Sequence, residues 1–425
     1  METKARTPLG ARIVGYLKSH PVISLLILTP GIPEYLSSSS PINAIVLNPS
    51  QFVFQLLANL GLYGSGALLI HDAGIRWKKG WATILLLGAA YGILEEGVAL
   101  STLFDPNAGP VGALGSYGHW LGVNLIWAAG IVPFHAIFSI SIPILLLGIA
   151  IPETRLKPLV SRRGTIAALL VLSFDVVILM AVVWHVSGYW MGWPILALSF
   201  LSIGGLLFLS RRITLPFTGK MGGRPTPSSK EAVAVGFSFF PAVILVQNLG
   251  RGAGLPAALD FLLVVAVQAL YLLYVTRRSW GGSRKSVIAF VLGLLVPIMV
   301  FGVLAELAFP LTLLADLVVV VFFRRLWVIR EGPEEMVRPS IQNRLNMMAV
   351  KGRTTAESNP AVVRGLRKEY ICKYDYSPGW SDSRAQMVFK VQPRVAHPWR
   401  APMTHTNLVN YVIRNESASK RAGTP

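Results

Sequence analysis

Residues 81–104 read WATILLLGAAYGILEEGVALSTLF, and this stretch decides the class of fold. Apart from the adjacent Glu95 and Glu96, it is an apolar run with no charged residue before its end. Its length matches the ~20 residues that a helix needs to cross a bilayer. A carboxylate inside such a run is costly and marks a polar site by default. The stretch therefore predicts a transmembrane helix that carries a candidate functional site.

Apolar runs of this kind recur along the whole chain. Hydrophobic residues make up 53% of the 425 residues and charged residues only 14%, whereas soluble domains carry about 25% charge. This composition excludes an ordinary soluble enzyme. We predict an all-α fold, a polytopic transmembrane bundle of about ten spans. The predicted spans are residues 14–35, 52–72, 81–104, 121–150, 164–186, 193–210, 232–249, 256–276, 286–306 and 308–323.

Lys and Arg residues are distributed very unevenly between the loops that join these spans. Over residues 1–330, 23 of them lie at the N-terminus, in alternate loops and after the last span, and the other loops hold only Arg251. Because basic residues accumulate in cytoplasmic loops, the pattern predicts a multi-pass protein of the cell membrane with both termini in the cytoplasm. Ten spans are consistent with this alternation.

Residues 331–425 differ from the rest of the chain. Leu, Ile, Val and Phe supply only 16 of these 95 residues, and 15 Lys and Arg stand against eight Asp and Glu. This composition predicts a basic cytoplasmic tail that is mostly disordered, following a membrane domain of residues 1–330. The expected partner is the lipid bilayer, with anionic headgroups as a further contact of the basic loops and tail. No motif for specific nucleic-acid binding is present.

The glutamate pair can be placed on the faces of its predicted helix. Gly88, Gly92 and Glu96 are spaced four apart and share one stripe, and two glycines at this spacing let a neighbouring helix approach closely. Glu96 is therefore expected to point into the bundle. Glu95 lies ~100° away around an α-helix, so the two side chains are not expected to point along one line. One of the two is expected to be catalytic or ion-binding, while the other caps a loop or pairs with a neighbour.

The next predicted span, residues 121–150, supplies possible partners. His119 precedes this run, while Asn124 and His135 lie within it, ~16 Å apart along a helix axis. Either His119 and Asn124, or His135 alone, can therefore lie at the depth of Glu96. Pro133 removes a backbone donor and can bend the helix.

A glutamate pair in one span, followed by histidines and an asparagine, resembles the CPBP intramembrane metalloproteases, the CAAX-protease and bacteriocin-processing group. Their pattern is EExxxR, FxxxH and HxxxN. Here Leu100 stands in place of the arginine and Ile131 in place of the phenylalanine, and His119 lies five residues before Asn124. The resemblance implies that Glu95 or Glu96 activates a water molecule as general base. It further implies His119 and His135 as ligands of zinc or water, and Asn124 as a donor to an oxyanion.

Two other functions are compatible with the sequence. Carboxylates within several spans, at Glu96, Asp175, Asp260 and Asp316, are typical of proton- or cation-coupled transport. A non-catalytic membrane scaffold is the third possibility. With Cys372 as the single cysteine, the chain can form neither an internal disulfide nor a cysteine-based metal cluster.

Overall fold

The computed structural model describes residues 15–213, 225–280 and 283–328, together with the short stretches 370–373 and 390–393. The chain divides into two units, Met1–Ile329 and Arg330–Pro425. In the second unit, β3 (Tyr370–Lys373) pairs with β4 (Lys390–Pro393) in an antiparallel ladder. The other residues of the tail, whose disorder the sequence predicts, lie outside the described residues.

The first unit is an all-α bundle. Its helices are α1 (Pro21–Pro30), α2 (Ala44–Leu47), α3 (Pro49–Arg76), α4 (Trp81–Ala99), α5 (Leu125–Ala150), α6 (Arg162–Ser187), α7 (Gly192–Arg212), α8 (Ser229–Gly252), α9 (Ala257–Arg277), α10 (Arg284–Ala305) and α11 (Thr312–Val328). Between α4 and α5, a 3₁₀ turn at Gly109–Leu114 precedes the two-residue strands β1 (His119–Trp120) and β2 (Val123–Asn124). A second 3₁₀ turn, Pro152–Arg155, follows α5.

Eight of the described helices, α3 to α10, are long and apolar enough to cross a membrane. The chain is therefore a polytopic helical membrane protein, as the sequence predicts. The remaining candidates for a crossing are α1, which a π-helical turn extends to Tyr35, and the 17-residue α11. Within the described residues, neither is a continuous helix of the ~20 residues that a full span needs, so the count of ten spans stays a prediction.

Local capping fixes where several helices begin and end. The side chains of Asn48, Ser161, Ser228 and Ser283 each accept a hydrogen bond from a backbone N–H in the first turn of α3, α6, α8 and α10. Such caps satisfy donors that the first turn would otherwise leave free. At the other end of α6, Gly188 adopts a left-handed conformation with φ of 69°, which glycine allows at little cost.

The interior of the bundle is formed mainly by α4, α5 and α10. In the most apolar stretch of α4, 67% of the residues are buried, whereas only 6% are buried in the corresponding stretch of α7. The helices α6, α7 and α9 thus present most of their surface to the outside, where lipid solvates apolar side chains. One core cluster joins α5 to α8 and α10, and another joins α1, α3, α4 and α5.

Four of the innermost segments are π-helical rather than α-helical. They lie directly after α1 and within α3, α4 and α5: Gly31–Tyr35, Leu60–Gly64, Ile93–Ala99 and His135–Ser141. A π-helix is rare, and short π-helical segments inside α-helices are frequent at functional sites. Four of them in neighbouring helices point to a site at the centre of this half of the bundle.

Candidate functional site

The glycine stripe of α4 brings that helix against the π-helical segment of α5. A Cβ atom placed on Gly88 would lie 2.8 Å from the Cα atom of Ala136, and one on Gly92 would lie 3.1 Å from the Cβ atom of His135. A side chain does not fit at Gly88, and one at Gly92 would require His135 to give way by a few tenths of an ångström. The predicted close approach of a neighbouring helix is therefore confirmed, and it places His135 opposite the glutamate pair.

His135 is held between the two glutamates. Its Nδ1 atom lies 3.0 Å from Oε2 of Glu95, and its Nε2 atom lies 2.8 Å from Oε1 of Glu96. The hydroxyl of Ser139, one turn further along α5, lies 2.9 Å from Nδ1. All three side chains of the Glu–His–Glu cluster are buried, and Glu95 and His135 are only 1% and 2% exposed.

Both glutamates therefore contact the same ring, whereas the sequence predicts that their side chains point in different directions. The expected separation of ~100° holds for an α-helix, but Ile93–Ala99 is π-helical. A π-helix bonds each residue to the fifth one along the chain and is wound more widely. Adjacent side chains are then separated by a smaller angle, and the long glutamate side chains reach opposite sides of the imidazole.

The second oxygen of Glu96 is fixed by the turn that follows α4. The hydroxyl of Thr102 donates to Glu96 Oε2, and the indole Nε1 of Trp127 lies 3.2 Å from the Thr102 hydroxyl. Trp127 belongs to the first turn of α5, so the contacts of Glu96 join the end of α4 to both halves of α5. The orientation of Glu96 is consequently well determined before any ligand binds.

A third carboxylate lies on the same side of the bundle. The hydroxyl of Tyr63 donates to Oε1 of Glu34 at 2.5 Å, and Ser40 donates to Oε2 at 2.7 Å. The centroid of the Tyr63 ring lies 6.1 Å from the centroid of the His135 ring. Neither Glu34 nor Tyr63 is among the site residues that the sequence predicts. The available signal was the interruption of the first apolar run by Pro30, Gly31 and Pro33.

The two remaining predicted site residues lie outside the cluster. Asn124 is the N-cap of α5: its Oδ1 accepts from the backbone of Trp127 at 2.9 Å, and its Nδ2 donates to Leu114 at 2.8 Å. His119 pairs with Asn124 across the short β1–β2 ladder. Their predicted roles at an oxyanion and at a metal ion stay predictions, while His135 is the residue at the depth of Glu96.

The other carboxylates within the membrane are separate from this cluster. Asp175 on α6 lies against Gly61, and Asp260 on α9 lies against Gly250. Asp316 is on α11. Within the described part of the chain, Glu95, Glu96 and His135 form the group of three whose ligand atoms all lie within 4.8 Å of one another.

These three residues fit a divalent metal ion. Imidazole nitrogens and carboxylate oxygens are both ligands that zinc accepts, and a catalytic zinc site keeps one position open for water. Oε2 of Glu95 is buried, and no described residue supplies it with an aligned hydrogen-bond donor. Two neighbouring buried carboxylates also repel each other. A cation would satisfy this oxygen and reduce that repulsion.

Fold and site together define a polytopic helical membrane protein with a buried Glu–His–Glu cluster on π-helical segments. The model of a family described as an uncharacterized membrane protein family matches residues 23–330, and the chain belongs to that family. No curated protein and no solved structure matches the chain. The matched region covers all residues of the cluster.

Proposed function

We propose that this protein is an intramembrane hydrolase, of the kind that the resemblance to CPBP metalloproteases implies. The observation that carries the proposal is the contact of Glu95 and Glu96 with the two nitrogens of His135, inside a transmembrane bundle. A site that activates water needs a base, a cation or its equivalent, and fixed geometry.

Each residue has a defined role in this proposal. Glu96 is the less buried of the two carboxylates, with 9% of its side chain exposed against 1% for Glu95, so it is the residue that accepts the proton of the attacking water. Glu95 and His135 would hold the cation, and the hydroxyl of Ser139, 2.9 Å from Nδ1, fixes the imidazole. Bound zinc would lower the pKa of the water towards neutrality. The apolar walls of α3, α4 and α5 keep other water away.

Transport is the weaker alternative on structural grounds. A coupled transporter needs polar groups that continue from one side of the membrane to the other. Among the described residues, Asp175, Asp260 and Asp316 do not join the cluster around His135. A scaffold, in turn, has no need of the buried carboxylate pair, which costs stability.

The experiment measures zinc and hydrolysis in the same preparation. We expect the purified protein to bind about one zinc ion per chain and, in proteoliposomes, to cleave quenched-fluorescent peptides that carry a membrane-partitioning apolar segment. A chelator should stop cleavage, and added zinc should restore it. Absence of both bound zinc and cleavage would contradict the proposal and favour transport or scaffolding.

The orientation of the protein follows from its loop charges. The basic loops and both termini face the cytoplasm in this proposal, where their Lys and Arg residues meet anionic lipid headgroups. Reporter fusions after Arg155, Arg212 and Arg278 are expected to be cytoplasmic, and fusions after Gly112 and Gly188 extracytoplasmic. A single fusion on the opposite side would remove a crossing from the predicted ten.

A further inference from the structure

Pro133 leaves one carbonyl of α5 without its helical partner. In an α-helix, the carbonyl of Ala129 would accept from the backbone N–H of residue 133, but proline has no such donor. In the membrane there is no water to replace it, and an unsatisfied carbonyl is costly there. Pro133 lies two residues before His135, which is the first residue of the π-helical segment His135–Ser141.

A side chain from another helix supplies the missing donor. Nε2 of Gln268, in the middle of α9, donates to the carbonyl oxygen of Ala129 at 2.6 Å. The helix α9 packs directly on the first part of α5. This hydrogen bond thus connects an outer helix, which contributes no residue to the Glu–His–Glu cluster, with the segment of α5 that precedes His135.

A second glutamine makes a similar contact with a carbonyl that also has a helical donor. Nε2 of Gln247, on α8, donates to the carbonyl of Ile126 at 2.8 Å. Four residues after Ile126 stands Gly130, whose backbone N–H is available within the helix. The Ile126 carbonyl therefore keeps a helical donor if Gln247 is removed, whereas the Ala129 carbonyl does not keep one if Gln268 is removed.

We propose that Gln268 is a positioning residue for the metal site: by satisfying the Ala129 carbonyl, it fixes the path of α5 at Pro133 and thereby the direction of His135. This deepens the proposed function and rests on it. Without Gln268, α5 must rotate or straighten to satisfy the free carbonyl. Its tight fit against Gly92 of α4 turns such a movement into a displacement of the imidazole from Glu95 and Glu96.

The test is a double-mutant cycle between positions 133 and 268. Gln268→Met keeps the length of the side chain and removes the donor, and Pro133→Ala restores the backbone donor. We expect Gln268→Met alone to lower zinc affinity ~10-fold or more, as removal of outer-shell partners does. In the Pro133→Ala background, the same substitution should leave zinc affinity within about twofold. Gln247→Met is the matched control and should have the smaller effect.

The thermal midpoint of the zinc-free protein is measured for the wild type, the two single variants and the double variant of the cycle. We expect Gln268→Met to lower this thermal midpoint and Pro133→Ala to restore it, even if the wild type binds no zinc. This result would support the role of Gln268 while the absence of zinc would contradict the proposed function. Equal effects of Gln268→Met in both backgrounds would overturn the inference. If the single variant does not fold, the double variant must fold and bind zinc; its failure to do so would also overturn it.

Discussion

Replacing His135 by asparagine should lower the zinc affinity of the purified protein by more than ~100-fold. Loss of an outer-shell partner already costs about 10- to 100-fold in metal affinity, and His135 is the only nitrogen donor of the three-residue cluster. Asparagine keeps a polar group in the buried site but offers no imidazole nitrogen. The measurement is a competition titration against a zinc-binding dye in detergent solution.

The matched control for this substitution is His185→Asn. His185 is an exposed residue in the last turn of α6, so its replacement should leave zinc affinity unchanged. Glu95→Gln should also weaken zinc binding, because a neutral amide replaces a carboxylate that lies 3.0 Å from the imidazole. Retention of tight zinc binding by the His135 variant would show that the metal, if present, is bound elsewhere.

The class of fold could be predicted from the sequence because a bilayer restricts the possible structures so strongly. Backbone polar groups within lipid must be satisfied locally, so each long apolar run becomes a helix whatever its neighbours are. The glycine spacing of α4 also predicted correctly that Gly88 and Gly92 face another helix. Both inferences depend only on periodicity along a single helix, which a sequence contains directly.

The composition of the site was harder to predict, for a physical reason. Helical faces were assigned with 100° per residue, but Glu34, Tyr63, Glu95, Glu96 and His135 all lie on π-helical segments. A π-helical segment changes which residues share a face, and no propensity rule signals it. The approach of Glu34 to Tyr63 additionally depends on how α1 and α3 pack, which is tertiary information.

A functional cluster can be distinguished from a structural one by removing only the charge of Glu96 and measuring activity and stability. Glu96→Gln keeps the shape of the side chain and an oxygen that can accept from Thr102. We expect the variant to insert and fold like the wild type while hydrolysis in proteoliposomes falls ~100-fold or more, because general-base catalysis contributes about 10²- to 10⁴-fold. The measurements are peptide cleavage and the thermal midpoint of the same preparation.

Glu96→Leu and Glu95→Gln complete this comparison. Leucine removes the side-chain hydrogen bonds of Glu96 and leaves Nε2 of His135 without its partner, which should destabilise the protein by about 1–3 kcal/mol. Because Glu95 is more deeply buried and serves as a ligand, Glu95→Gln should affect zinc affinity more than the proton transfer in zinc-saturated protein. If Glu96 were only a neutral structural group, Gln would be tolerated in both assays and Leu alone would be harmful. Mild and equal effects of all three substitutions would contradict any catalytic role for the pair, since a base in contact with the imidazole cannot lose its charge without consequence for the reaction.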